Sequence, residues 1–238
     1  YSLLLAGTLC LTPATSGYPQ ILNGSITGKG PVIERKVGLG EIKGLSITNS
    51  TDVILTQGAN REVRLSGQEN ILNNLDLTKE GSTLVIKSKL SVQKSEPVKI
   101  YITLPTIETI SITGSGDVTT THHFSDINEL NIKISGSGDI NADLDAKTVQ
   151  ASVSGSGDVQ LTGSADLMKY VISGSGDLKA DRFKVRDAQI AISGSGDANV
   201  TVSGTLKGTV SGSGDISYSG DPELDLHHSG SGSISKRK

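Results

Sequence analysis

From Leu130 onward, apolar and polar residues alternate in short runs, and the runs come in pairs. One member of each pair carries apolar residues at Leu130, Ile132 and Ile134, then at Val149, Ala151 and Val153, Met168, Tyr170 and Ile172, and Ala188, Ile190 and Ile192. The other carries Ile140 and Ala142, Val159 and Leu161, Leu178 and Ala180, and Ala198 and Val200. A period of two with one apolar face predicts a half-buried β-strand in every run. Between the paired runs lie polar stretches of unequal length, such as Asp143 to Lys147, Thr162 to Asp166 and Ser203 to Thr205. With no shared register, they read as a corner that tolerates insertion. Upstream the pattern is looser. Strand-like runs occur at Glu62 to Leu65, Thr83 to Lys87 and Val98 to Leu104, and Glu69 to Leu77 is a candidate short helix or excursion.

One phrase punctuates the regular part. Ser-Gly-Ser-Gly-Asp recurs unaltered with its aspartate at Asp139, Asp158, Asp177, Asp197 and Asp215. Thr113-Gly114-Ser115-Gly116-Asp117 opens the series, and Ser229 to Ser233 closes it with Ser233 in the aspartate's place. Successive marks are 22, 19, 19, 20, 18 and 18 residues apart. A fixed phrase at a period near 20 is the signature of a solenoid, in which one coil cannot bury its apolar face alone. Two geometries suit the phrase. A straight run would turn both glycines inward and the serines and aspartate outward. A corner would use glycine for positive φ, with Asp or Ser closing the turn. The corner is the expected one, because a coil must bend. Fainter copies align at Ser25 to Val32 and Ser46 to Val53, so the solenoid is expected to start early. The 65 residues from Asp52 to Asp117 then correspond to about three coils.

The predicted fold is therefore all-β: a parallel β-helix or solenoid with coils of about 18–22 residues and an irregular N-terminal part. The crossover rule for parallel strands makes it right-handed. Strand spacing near 4.8 Å makes the marked section a rod about 30 Å long. The composition fits a thin interior, with 3% aromatic residues, no Trp and 29 Gly.

Tyr1 to Leu11 is an apolar run too short to span a bilayer, and Thr12 to Ser16 follows with small residues. Residues 1–16 read as a partial signal peptide, with cleavage before Gly17. Cys10 raises the question of a lipid anchor, but Leu9 stands where a lipobox needs a small residue. Residues 24–238 read as a single solenoid domain, irregular over 24–110 and a regular stack over 111–233. Export to the periplasm, the outer membrane surface or the medium is expected. A net charge of -3 and scattered Lys and Arg argue against nucleic acid as a partner. The closing Lys236-Arg237-Lys238 reads as a charged guard on an edge strand.

The phrase after an Ile or Val strand, together with Leu45-Ser46-Ile47-Thr48 followed by Asp52-Val53-Ile54-Leu55, resembles the putative autotransporter adhesin head GIN domain family over roughly Ile33 to Ser217. The resemblance implies a bacterial exported β-solenoid. It carries over no catalytic residue, and no translocating membrane barrel is read in this sequence.

In-register stacking would align Asp117, Asp139, Asp158, Asp177, Asp197 and Asp215 into a ladder of candidate binding residues. Like charges about 5 Å apart repel by roughly 1 kcal/mol even in water, so something must offset the repulsion. The structural answer is that each carboxylate accepts hydrogen bonds from Ser hydroxyls or Gly amides of its own turn. The chemical answer is a row of cations. Calcium needs six to eight oxygens, whereas one carboxylate per coil is offered, so no metal or other cofactor is assigned. His122-His123 and His227-His228 lack a third ligand at zinc spacing. Asn23, Asn49 and Asn199 begin glycosylation sequons, which matter only in a eukaryote. The glycine-rich phrases are not phosphate loops, having no P-loop Lys and no helix after them.

The leading function is a non-enzymatic adhesion, binding or scaffold module that meets a protein or glycan ligand on the flat side of the rod. A polysaccharide-acting β-helix enzyme is the competing class, but it needs converging carboxylates where these recur by period. A cation-binding or ice-binding solenoid comes after it.

Overall fold

The computed structural model describes residues 24–38 and 40–237; the signal-peptide and Cys10 readings fall outside them. The N-terminal third holds β1 (Ser25–Thr27), β2 (Val32–Val37), β3 (Gly44–Ile47), β4 (Asp52–Gln57), β5 (Glu62–Gln68), α1 (Glu69–Asn74), β6 (Leu75–Glu80), β7 (Thr83–Ser88), β8 (Ser91–Lys94) and β9 (Lys99–Leu104). The stack continues through β10 (Thr109–Ile112), β11 (Val118–Thr120), β12 (Phe124–Ile134), β13 (Ile140–Val153), β14 (Val159–Ile172) and β15 (Leu178–Ile192). It ends with β16 (Ala198–Val210), β17 (Ile216–Ser219), β18 (Glu223–His228) and β19 (Ile234–Lys236). This is a β-solenoid of about 7 turns.

Every pairing from β10 to β19 is parallel, and on either side of the phrase the register is kept from coil to coil, which stacks like positions into columns. Ile47, Ile112, Ile134, Val153, Ile172, Ile192 and Val210 form one such column, all buried. β-Branched residues suit it, because their stiff side chains pack on a pleated surface at strand spacing. The thin core nonetheless holds three rings, Phe124, Tyr170 and Phe183, at 0% exposure. Small neighbours make the room: Tyr170 stacks on Ala151, and Phe183 on Gly163. The stretches expected to be polar corners are paired strand too, and they add Leu144, Ala165, Phe183 and Val185 to the core. Their unequal lengths appear as register shifts, for example between Ala180 and Lys184.

The phrase is a bend, as expected, but its glycines are not there for positive φ. Among phrase glycines only Gly230 has a left-handed φ. In the unaltered copies the second glycine is buried and the first half-buried while the serines stay exposed, so the phrase combines the corner with the parity of a straight run. Glycine is required by close approach: a Cβ on Gly176 would lie 2.0 Å from the carbonyl oxygen of Gly157 in the previous coil. Backbone bonds continue the ladder through the bend, with Ser175 N–H donating to the Gly155 carbonyl at 3.0 Å.

The interval between Asp52 and Asp117 corrects the reading of three intervening coils. β3 pairs directly with β10 and β4 with β11, and Val53 N–H donates to the Asp117 carbonyl at 2.7 Å. The chain between them instead travels to the far side of β3 and β4. There β7 lies parallel to β3 and β9 parallel to β4, and antiparallel β6, β5 and β2 close the end. Nor does the Ser25 to Val32 copy join the stack, because β1 pairs with β8 in a separate two-stranded sheet. Antiparallel strands hide the outer edges of β7 and β9, so the rod has a cap at this end.

Candidate ligand-binding site

The six aspartates form one column along the bend edge. In each coil the carboxylate Oδ1 accepts the backbone N–H of the aspartate one coil on: Asp117 from Asp139, Asp139 from Asp158, Asp158 from Asp177, Asp177 from Asp197, at 2.7–2.8 Å. Asp197 accepts from Asp215 at 2.8 Å, and Asp215 accepts both the N–H and the hydroxyl of Ser233. The partner is therefore the next coil, not a group of the same turn. Burial alone would raise the Asp158 pKa, but the Lys179 ammonium and the Asp177 amide hold it below the usual carboxylate range. Two columns of exposed serines run beside the carboxylates.

Asp52 extends the column one step towards the cap, accepting Asp117 N–H at 3.3 Å. Beyond it the column stops. The layer beneath β3 and β4 consists of β7 and β9, and where a further copy of the phrase would join them the chain swings outward through Lys89 to Val98. A groove of about 850 Å³ is left between the Thr48 to Asp52 turn and this outer segment. Ile71, Leu75, Val98, Leu90 and Val92 provide its apolar lining. Leu90 and Val92 are 36% and 39% exposed, two of the few large apolar side chains so open to solvent. Asp52, Lys89 and Lys94 bring its charges, and Ser50, Thr51 and Ser91 hydroxyls.

The outer wall is held by buried polar groups. Among the described residues the buried polar side chains are Thr51, Gln68 and Asn74, and all three border this groove or brace its wall. Asn74, at the end of α1, clamps Leu90 twice, its Nδ2 donating to the Leu90 carbonyl and its Oδ1 accepting the Leu90 N–H, each at 2.9 Å. Gln68, just before α1, accepts Glu96 N–H at 3.1 Å and donates to the Gly30 carbonyl at 2.9 Å. Asn49 reaches across to Ser88 Oγ at 3.0 Å. Satisfied buried amides fix backbone position, so the groove is preformed.

Sequence reasoning missed this groove. Its signal is faint: the alternation lapses over Lys89 to Val98, and Gln68 and Asn74 stand where apolar residues would be expected. The histidines do not gather. His122 lies in the bend after β11 beside Thr121, His123 bridges Asp143 and Asp145, and His227 and His228 are exposed on β18. No three His, Cys, Asp or Glu side chains are arranged to hold a metal ion among the described residues.

A profile of the family described as putative auto-transporter adhesin, head GIN domain, matches residues 42–222. The chain belongs to this family. The match begins before β3 and so includes the capping excursion as well as most of the head GIN stack. None of the curated proteins matches the chain in sequence. Among solved structures, a putative adhesin from Bacteroides fragilis NCTC 9343 is similar at TM-score 0.82 and 23% identity, over 89% of this chain and 100% of that one. A putative lipid binding protein from Parabacteroides distasonis ATCC 8503 is similar at TM-score 0.76 and 25% identity, over 90% and 100% of the two chains. A putative adhesin from the same strain gives TM-score 0.72 at 18% identity, with the same coverage. These neighbours share the fold of this chain and are named for binding, not for catalysis. No helix among the described residues is long and apolar enough to cross a membrane.

Proposed function

We propose that this head GIN chain is an exported, non-enzymatic binding module of the cell surface or periplasm, and that its partner is held at the capped end. The preformed groove beside Asn49 carries this reading, because it joins concavity, exposed apolar side chains and a braced wall. Ligand sites are concave, largely apolar and fixed by a few polar groups, whereas a solenoid wall is flat. The groove thus replaces the flat side as the favoured contact. The family's adhesin description and the lipid-binding name of one neighbour support a binding role. The aspartate column supports the non-enzymatic reading, since its carboxylates engage successive coils instead of converging.

The test compares the chain with a Val92→Glu variant on a glycan array and in pull-downs from surface extracts. Capture that depends on Val92 is expected. Capture unaffected by the substitution, or reduced equally by Lys207→Glu on the flat wall, would place the contact elsewhere.

A further inference from the structure

We infer that the groove takes an anionic amphiphile with a single acyl chain; this rests on the groove being the binding site. Its lining divides into two chemistries. Leu90, Val92 and Val98 offer apolar surface next to the nearly buried Ile71 and Leu75, which suits a hydrocarbon chain and offers a sugar little to stack on. The lining's charged side chains are Lys89, Lys94 and Asp52. Asp52 keeps its charge while accepting the Asp117 amide, and the Lys89 ammonium donates to the Asn73 carbonyl at 3.1 Å, but two ammoniums face one carboxylate, so the net charge of the lining is positive. Hydroxyls of Ser50 and Ser91 add donors for an anionic head. A volume of about 850 Å³ lies within the range of small-molecule sites and accommodates one chain. Because Asn74 and Gln68 already hold the wall, binding need not order it, and less affinity is lost to entropy.

Titration calorimetry of the full chain with monomeric sodium dodecanoate tests this, with dodecanol and dodecyltrimethylammonium as neutral and cationic comparisons. Saturable binding of dodecanoate is expected. Val92→Glu should weaken it about tenfold or more, since it places a charge against the acyl chain. Lys94→Glu should weaken dodecanoate while leaving dodecanol unchanged. Lys207→Glu should alter neither. The inference is overturned if dodecanoate does not saturate, if Val92→Glu binds it as well as the parent, or if the cationic amphiphile binds as tightly. Should dodecanoate fail while Val92-dependent capture persists on the glycan array or in the pull-down, the groove remains the site and the ligand class is wrong. If neither is seen, both readings fall.

Discussion

Asp177 Oδ1 accepts the backbone N–H of Asp197 at 2.8 Å, one coil further along the rod. The same bond repeats at each step, so within a ladder that otherwise continues through the bend a side chain takes the place of a carbonyl at the aspartate N–H. The acceptor matters more than the charge. Asp177→Asn keeps an acceptor oxygen and removes repulsion from Asp158 and Asp197, so stability should change by less than about 0.5 kcal/mol. Asp177→Ala loses the acceptor and should cost about 1 kcal/mol. Chelator should leave the parent's thermal melt unchanged. A melt that collapses with Asn, and equally with chelator, would mean that the column holds cations.

Gly176 is a packing position. An added Cβ would meet the Gly157 carbonyl at 2.0 Å and Val153 Cγ1 at 3.0 Å, and the backbone oxygen cannot swing away as a side chain would. Gly176→Ala should therefore destabilise by about 2–4 kcal/mol, read from the denaturation midpoint. Gly38→Ala is the control, because a Cβ there meets nothing within 4 Å. Equal midpoints for the two variants would contradict the close-approach account.

The stack was legible because three periodicities agree: strand alternation, the phrase, and the spacing between phrases. Ile134, Val153 and Ile172 announce both their strands and their shared column. The cap was not, because antiparallel strands such as β5 and β6 carry the same alternation as parallel ones. Nothing local to Asp52 says that its stacking partner is Asp117, 65 residues on. The phrase itself shows glycine but not the reason for it, since positive φ and close approach demand the same residue. Only the neighbouring coil distinguishes them. The groove was illegible for a related reason: it exists where two distant segments, Thr48 to Asp52 and Lys89 to Val98, fail to stack.

Tyr170 buries its whole side chain and leaves its hydroxyl without a hydrogen-bond partner. Burial, with the charges of Asp158 and Asp177, pushes its pKa far upward, so it stays neutral. An unsatisfied buried hydroxyl is destabilising, whereas the ring fills space above Ala151. Tyr170→Phe should accordingly be neutral or raise stability by about 1 kcal/mol, and Tyr170→Ala should cost about 3–5 kcal/mol through the cavity. A Phe variant less stable than the parent by chemical denaturation would show that the hydroxyl has a partner after all.

His123 ties three coils together at the corner opposite the phrase. Its Nδ1 meets Asp143 at 2.8 Å and its Nε2 meets Asp145 at 3.0 Å, while Asp145 also accepts the Ser164 hydroxyl at 2.6 Å. The Asp143 bond, with help from Asp145, raises the His123 pKa above its ordinary 6.5. The Ser164 bond, then His123, lower the Asp145 pKa below its ordinary 3.8. A raised histidine pKa contributes stability that is fully present below the unfolded value and is lost as pH rises through the folded one. The lowered carboxylate contributes above its unfolded value and loses that as pH falls through its folded one. The clip is thus strongest between about pH 4 and 6.5, and solvent screening at this exposed corner keeps its contribution small. Melting the parent and a His123→Gln variant at about pH 5.5 and about pH 8.5 isolates the effect. The parent's advantage over the variant should shrink at the higher pH, when the imidazole is neutral and can donate from only one nitrogen. An advantage that is the same at both values would mean that the doubly bonded, charged ring does not form.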